Sequence, residues 1–164
     1  MAGHASTALA KCNHARYADP VPYRPFENQH CSIARATAVI GERWTLLVLR
    51  EILLGRRHFA ELRRNTGVAP NILSDRLQTL VEHGVVEHRE NGEYVPTDKG
   101  RDVTPVLVAL MQWGDRYGEA GPPPRVVVHR GCGHDADPRL HCSHCGEEVG
   151  GRDLLVRPGP GATE

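Results

Sequence analysis

The sequence predicts a mainly helical fold with one small β-hairpin, an α+β architecture, and three observations predict it. The first is a pair of short amphipathic segments: one begins at Phe59 and is broken at Gly67, the other opens at Pro70 and is ended by Gly84. The second is a loose apolar alternation over residues 85–95, centred on Asn91-Gly92, a strong hairpin signal because both residues tolerate positive φ. The third is the dense apolar segment from Trp44 to Leu54 that precedes them, rich enough in Leu, Val and Ile to serve as a core helix. Helix, tight turn, helix and hairpin, in that order, make a winged helix-turn-helix.

In chain order, residues 1–28 read as a flexible arm, because Pro20, Pro22 and Pro25 stand too close together for a helix. Cys12 and His14 lie in it, a lone pair that is expected to bind nothing. Residues 29–120 form the winged domain. Its first helix covers residues 31–40, with Ile33, Ala36, Thr37 and Ile40 expected inward and Gly41 ending it. The core helix follows, from Trp44 to a cap at Gly55. Phe59 and Leu62 point inward from the next helix, and Arg63 and Arg64 outward. Pro70 suits a first helical position, where its missing N–H has no partner in any case. Leu73, Leu77, Leu80 and Val81 then recur as one buried stripe, which leaves Asn71, Ser74, Asp75 and Gln78 in water. After the hairpin, Thr97-Asp98-Lys99-Gly100 resembles a capped helix start. The stripe Val103, Val106, Leu107, Leu110, Met111, Trp113 continues to Tyr117, and Pro105 is expected to kink that helix rather than end it. The core is already filled by earlier helices, so the stripe is expected to be the seam of a homodimer.

Gly121-Pro122-Pro123-Pro124 is a linker. Residues 125–156 hold a short strand, 126–129, and a Cys/His-rich appendage; residues 157–164 read as a disordered tail. His129-x-x-Cys132-Gly133 and Cys142-x-x-Cys145-Gly146 have the form of two zinc-ribbon knuckles, each glycine letting the backbone turn its N–H groups toward sulfur. A segment this small has no room for a core, so a structural zinc would supply its fold. His134, His141 and His144 are competing ligands, and a redox pair Cys142/Cys145 without metal is the alternative.

The 164 residues carry no formal net charge and include five cysteines. No apolar run spans a bilayer and no secretory signal is visible, so a reducing cytoplasm is expected, where cysteines are thiols or metal ligands. Charge is distributed locally. Between Gly55 and Leu80, Arg56, Arg57, Arg63, Arg64 and Arg76 oppose only Glu61 and Asp75, a basic patch of the kind that contacts phosphates. The hairpin region is acidic (Glu82, Glu87, Glu90, Glu93, Asp98), with Arg89 its basic residue. Asn71, Ser74 and Asp75 are the candidates for base edges, Asn71 being able to pair bidentately with adenine. Arg56, Arg57, Arg63 and Arg64 are phosphate contacts, and Arg76 is either a phosphate clamp or a partner for a helix carboxylate. Cys31 stands at the start of a helix with Arg35 one turn on, a setting that lowers a thiol pKa; the alternative is a small apolar residue at the dimer seam. No catalytic constellation is visible, so the chain is not read as an enzyme.

Cys31-Ser-Ile-Ala-Arg, Gly41-Glu-Arg-Trp-Thr-Leu-Leu-Val-Leu-Arg, His58-Phe-Ala-Glu-Leu, Asn71-Ile-Leu-Ser-Asp-Arg-Leu-Gln-Thr-Leu, Gly84-Val-Val-Glu and Tyr94-Val-Pro-Thr-Asp-Lys-Gly together resemble the HxlR-type regulators, relatives of the MarR group. The resemblance covers Cys31 to about Tyr117. It implies a homodimeric, cytoplasmic, sequence-specific DNA-binding transcriptional regulator, often a repressor acting near its own gene on a double-stranded operator. It also implies that the first and post-wing helices form the dimer interface, and that a cysteine at the place of Cys31 is in several members a switch for an oxidant or small electrophile. The wing is short here and lacks the Pro-x-Arg tip many members carry. The rival functions are a metal- or redox-sensing module whose C-terminal Cys/His cluster is the sensor, and a winged helix used only for protein contacts.

Overall fold

The computed structural model describes residues 31–118 and 121–162, so the N-terminal arm with Cys12 and His14 lies outside the described residues. Six helices and a two-stranded sheet follow in the order α1 (Ser32–Ile40), α2 (Arg43–Leu53), α3 (Phe59–Thr66), α4 (Pro70–Glu82), β1 (Val86–His88), β2 (Tyr94–Pro96), α5 (Asp98–Arg101) and α6 (Thr104–Tyr117). Helix α2 is the axis of the domain. Glu42 caps it by accepting from the N–H groups of Trp44 (2.8 Å) and Thr45 (3.2 Å). Val48, Leu49 and Ile52 on one side of α2 are fully buried and meet Leu62 of α3, Leu73, Leu77 and Leu80 of α4, and Val85, Val86 and Val103. Each such leucine contributes about 1.5–3 kcal/mol through burial, so this cluster holds the domain.

Polar contacts fix the angle between α2 and α3. Glu51, 5% exposed, accepts from Arg50 Nε (3.0 Å) and from Asn65 Nδ2 (3.1 Å) on α3. At the other end of α3, Glu61 reaches back to accept from the N–H groups of Arg57 and His58. Those two N–H groups, Arg57's foremost, hold the Glu61 carboxyl below its usual range. Gly67 ends α3 in the left-handed conformation (φ 70°), which aims the chain into α4.

Several expectations change. The inner face of α1 is carried by Ala34, its one fully buried residue, and by Val39 and Ile40 at its C-terminal end, which are half-buried against the core; Ile40 lies inward as expected, whereas Ile33 is 73% exposed and Ala36 and Thr37 are exposed. Val81 likewise lies at the surface, because the α4 stripe narrows to Leu73, Leu77 and Leu80. The hairpin forms around Asn91-Gly92 as expected, through a three-residue loop. The strands pair Val86 with Pro96, Glu87 with Val95 and His88 with Tyr94. The loop is Glu90-Asn91-Gly92, closed by Arg89 N–H to Glu93 O (2.9 Å) and Gly92 N–H to Arg89 O (2.9 Å), with Gly92 at φ 79°. That is a type I turn plus a bulged left-handed residue, so the glycine stands last in the loop.

Pro105 kinks nothing. The post-wing helix is two helices: α5, capped by the Thr97 hydroxyl, stops at Arg101, and α6 starts at Thr104 with Pro105 in its first turn, where no N–H is needed. The expected strand at 126–129 reduces to a single bridge, Val128 to Asp135, with no neighbouring strand among the described residues to extend it. Gly100 is obligatory at a close approach: a Cβ there would run into the Val85 carbonyl oxygen.

Candidate nucleic-acid interface

Helices α3 and α4, joined through Gly67, present one exposed face. Asn71, Ser74 and Asp75 line up on the outer side of α4 and are all exposed, as a helix entering a groove requires. Gln78, further along, is tied to Glu82 (2.7 Å). At the α3–α4 junction, Ala60, Arg63, Arg64, Gly67, Val68, Ala69 and Pro70 border an open groove of about 520 Å³. Arg63 and Arg64 are exposed and make no ion pair among the described residues. The N-cap of α4 is Ala69, which has no side-chain acceptor for the first N–H groups of the helix. An uncapped helix N-terminus beside two free guanidinium groups is a phosphate-binding arrangement. The absence of Ser, Thr, Asp or Asn before Pro70 was the sequence signal for it.

The remaining basic candidates divide by partner. Arg56 is exposed and unpaired among the described residues. Arg57 is half-buried, and its Nη1 donates to the Ile52 carbonyl (2.8 Å) at the end of α2, while its own carbonyl accepts from Tyr94 N–H (2.8 Å). It therefore joins α2 to the wing and has only part of its guanidinium left for a phosphate. Arg76 is half-buried and finds no helix carboxylate; its Nε has no partner at all. In the wing, Arg89 faces Glu87 at 3.5 Å, and His88 stacks on Tyr94 with ring centroids 4.3 Å apart.

Cys31 is the N-cap of α1 and half-buried. It closes no cap hydrogen bond, yet the backbone N–H groups of Ala34 and then Ile33, with Arg35 behind them, hold its thiol below the ordinary value. The stripe on α6 is open: Val103 is buried and Leu107 packs against the core, but Val106, Leu110 (47% exposed), Trp113 (65%) and Tyr117 face outward, and α6 has no buried residue.

In the C-terminal segment His129 Nδ1 and Cys132 Sγ lie 3.3 Å apart. Cys132, Cys142 and Cys145 are free thiols. The N–H groups of Cys145 and His144, and the Cys145 side chain, hold the Cys142 thiol below its ordinary value. Among the described residues no three such side chains gather on one point, so the two pairs stand apart. No described helix is long and apolar enough to cross a membrane.

Residues 39–122 match the model of the HxlR-like helix-turn-helix family. An uncharacterized HTH-type transcriptional regulator of Mycobacterium tuberculosis is 47% identical over 137 residues, covering 79% of this chain and 87% of that protein. Of the solved structures, PA1607, described as a candidate transcription factor, is similar with a TM-score of 0.68 and 38% identity over 80% of this chain and 96% of that one. PA1374 from Pseudomonas aeruginosa, of the same description, gives a TM-score of 0.57 and 36% identity over 82% of this chain and 96% of that one. Four-fifths of the 164 residues is more than residues 1–122 contain, so the likeness to PA1607 runs past Pro122 into the Cys/His segment. The order of helices and hairpin, the glycine turn between α3 and α4 and these relatives lead to one conclusion: the chain belongs to the HxlR-like helix-turn-helix family of transcriptional regulators, with a winged helix-turn-helix fold.

Proposed function

We propose that this regulator is a cytoplasmic homodimeric repressor that binds a pseudo-palindromic duplex. The exposed N-terminal half of α4 lies in the major groove, with Asn71, Ser74 and Asp75 at base edges. Arg63, Arg64, Arg56, the free part of Arg57, and Arg89 hold backbone phosphates. The observation that carries this reading is the uncapped start of α4 at Ala69 beside unpaired Arg63 and Arg64. The second copy docks on α6: Val106, Leu110, Trp113 and Tyr117 repeat at helical spacing on a face that the chain itself does not cover, and Ile33 of α1 is exposed as well. Oxidants or small electrophiles act at Cys31, whose thiolate is favoured by the α1 N-terminus.

The test is footprinting on the DNA upstream of the protein's own gene, with and without oxidant. Two protected patches about one helical turn apart, lost on oxidation in the wild type and kept in Cys31→Ser, are the expected result. Protection no stronger than on random DNA would sink the reading. Equal oxidant response of both proteins would remove Cys31 alone.

A further inference from the structure

Two stretches of the C-terminal segment repeat each other bond for bond at an offset of thirteen residues, His129 answering to Cys142 and Gly133 to Gly146. In the first, His129 N–H donates to His134 O (3.0 Å), Gly133 N–H to His129 O (2.8 Å) and Ala136 N–H to Val127 O (2.7 Å). In the second, Cys142 N–H donates to Glu147 O (2.9 Å), Gly146 N–H to Cys142 O (2.8 Å) and Val149 N–H to Leu140 O (2.8 Å). Isolated bridges close both at equivalent points, Val128 with Asp135 and His141 with Glu148, and both glycines are left-handed, at φ 73° and 76°.

Two such turns could be ordinary tight hairpins, but an ordinary hairpin pair needs a core, and this one has none. No residue described between Gly121 and Ala162 is buried; Val127, Ala136, Cys142 and Val149 are half-covered, and the rest are exposed. A segment that turns its backbone so regularly around so little apolar surface requires a cross-link. The repeat also sorts the candidate ligands. His129 corresponds to Cys142 and Cys132 to Cys145, so both turns offer a donor at both positions. His134 corresponds to Glu147, His141 to Val128 and His144 to Gly131, so these histidines have no donor of their own kind in the other turn. The His141 ring nitrogen is moreover engaged with the Gly146 carbonyl (3.1 Å). The spacing of the first pair fits a metal. Two ligands at Zn–S and Zn–N bond lengths on a tetrahedral ion are about 3.5 Å apart, close to the 3.3 Å between His129 Nδ1 and Cys132 Sγ.

We propose that His129/Cys132 and Cys142/Cys145 are the two halves of a structural zinc site, drawn together by one ion per chain. Three thiolates and one neutral imidazole suit zinc over harder cations and leave no open position for catalysis. Binding replaces the protons of the three thiols, which leave to solvent; no electrons move. The connection between the halves also fastens the segment to the domain. Gln112 Nε2 on α6 donates to Asp137 Oδ1 (2.8 Å) and to the Pro138 carbonyl (3.0 Å), and Arg139 bridges Asp137 and Glu148. The stretch that joins the two halves is thus held against α6.

The test uses the full chain purified without chelator. Elemental analysis should find one zinc per chain, and cobalt(II) added after zinc removal should give the intense spectrum of a tetrahedral thiolate site. Cys132→Ser and Cys142→Ser should lose the stoichiometric metal, whereas His134→Ala and His144→Ala should keep it. His129→Cys should keep the ion with a stronger sulfur-to-cobalt band. That gain of signal identifies the ligand even if the serine variants fail to fold. Absence of both zinc and cobalt uptake overturns the proposal, as does a cobalt spectrum that His129→Cys leaves unchanged.

Discussion

Replacing Arg63 and Arg64 together by alanine removes the two unpaired guanidinium groups beside the start of α4 and touches nothing in the core, since both side chains are exposed. Each phosphate contact contributes about 0.9 to the slope of log affinity against log salt, so two contacts in each of two protomers flatten that slope by up to about 3.6. Between about 50 and about 200 mM salt, a slope change of that size corresponds to roughly 150-fold less loss of affinity in the variant than in the wild type. Fluorescence anisotropy of a labelled operator and a scrambled duplex, titrated across that range, measures it. The loss of affinity should be the same on both duplexes, because phosphates carry no sequence. Asn71→Ala supplies the contrast: it should cost about 1–3 kcal/mol on the operator and almost nothing on scrambled DNA, with the salt slope unchanged. Parallel salt slopes for wild type and the double arginine variant, at equal thermal stability, would show that the face between α3 and α4 does not meet phosphates.

If the proposed dimer forms along α6, Leu110→Glu should give a folded monomer by light scattering and abolish operator binding, because the side chain is 47% exposed in the single chain and would be covered only by the second copy; an unchanged dimer refutes α6 as the interface. Gly100→Ala should cost about 1–3 kcal/mol in chemical denaturation, since its Cβ meets the Val85 carbonyl rather than a side chain that can move. The alkylation rate of Cys31, followed against pH, should have its midpoint below the ordinary thiol value of about 8.5. The folded pKa is depressed, so the stabilisation of the native state is complete above the unfolded thiol's pKa and disappears as pH falls through the folded one; a midpoint at or above the ordinary value contradicts the assignment.

The sequence showed periodicity and punctuation well, because both act locally. The leucines of α4, the glycine turn at Gly67 and the capped start at Thr97 were all legible for that reason. Partners were not legible. Arg57 reads as one more positive charge, yet its guanidinium is spent partly on the Ile52 carbonyl five residues back. Ile33 and Val81 fit the apolar stripes of their helices, but whether a stripe is covered depends on what the fold brings opposite. Pro105 was compatible with a kink and with a helix start, and the choice depended on Val103 turning into the core. The knuckle sequence announced donors and glycines; that the two turns share one hydrogen-bond scheme belongs to the backbone alone.

The attachment of α6 has a mechanical consequence. The helix is rooted in the core by Val103, just before it, and by Leu107 in its first turn, while none of its own 14 residues is buried. It is a cantilever of about 21 Å, and a pivot of about 10° at its root swings the free end by about 4 Å. In a dimer joined along two such arms, the distance between the reading heads is set by the angles at which the arms leave their cores. In the proposed dimer, any change in the pitch of that lever, whose fulcrum is Val103, would alter the spacing of the reading heads without touching α4.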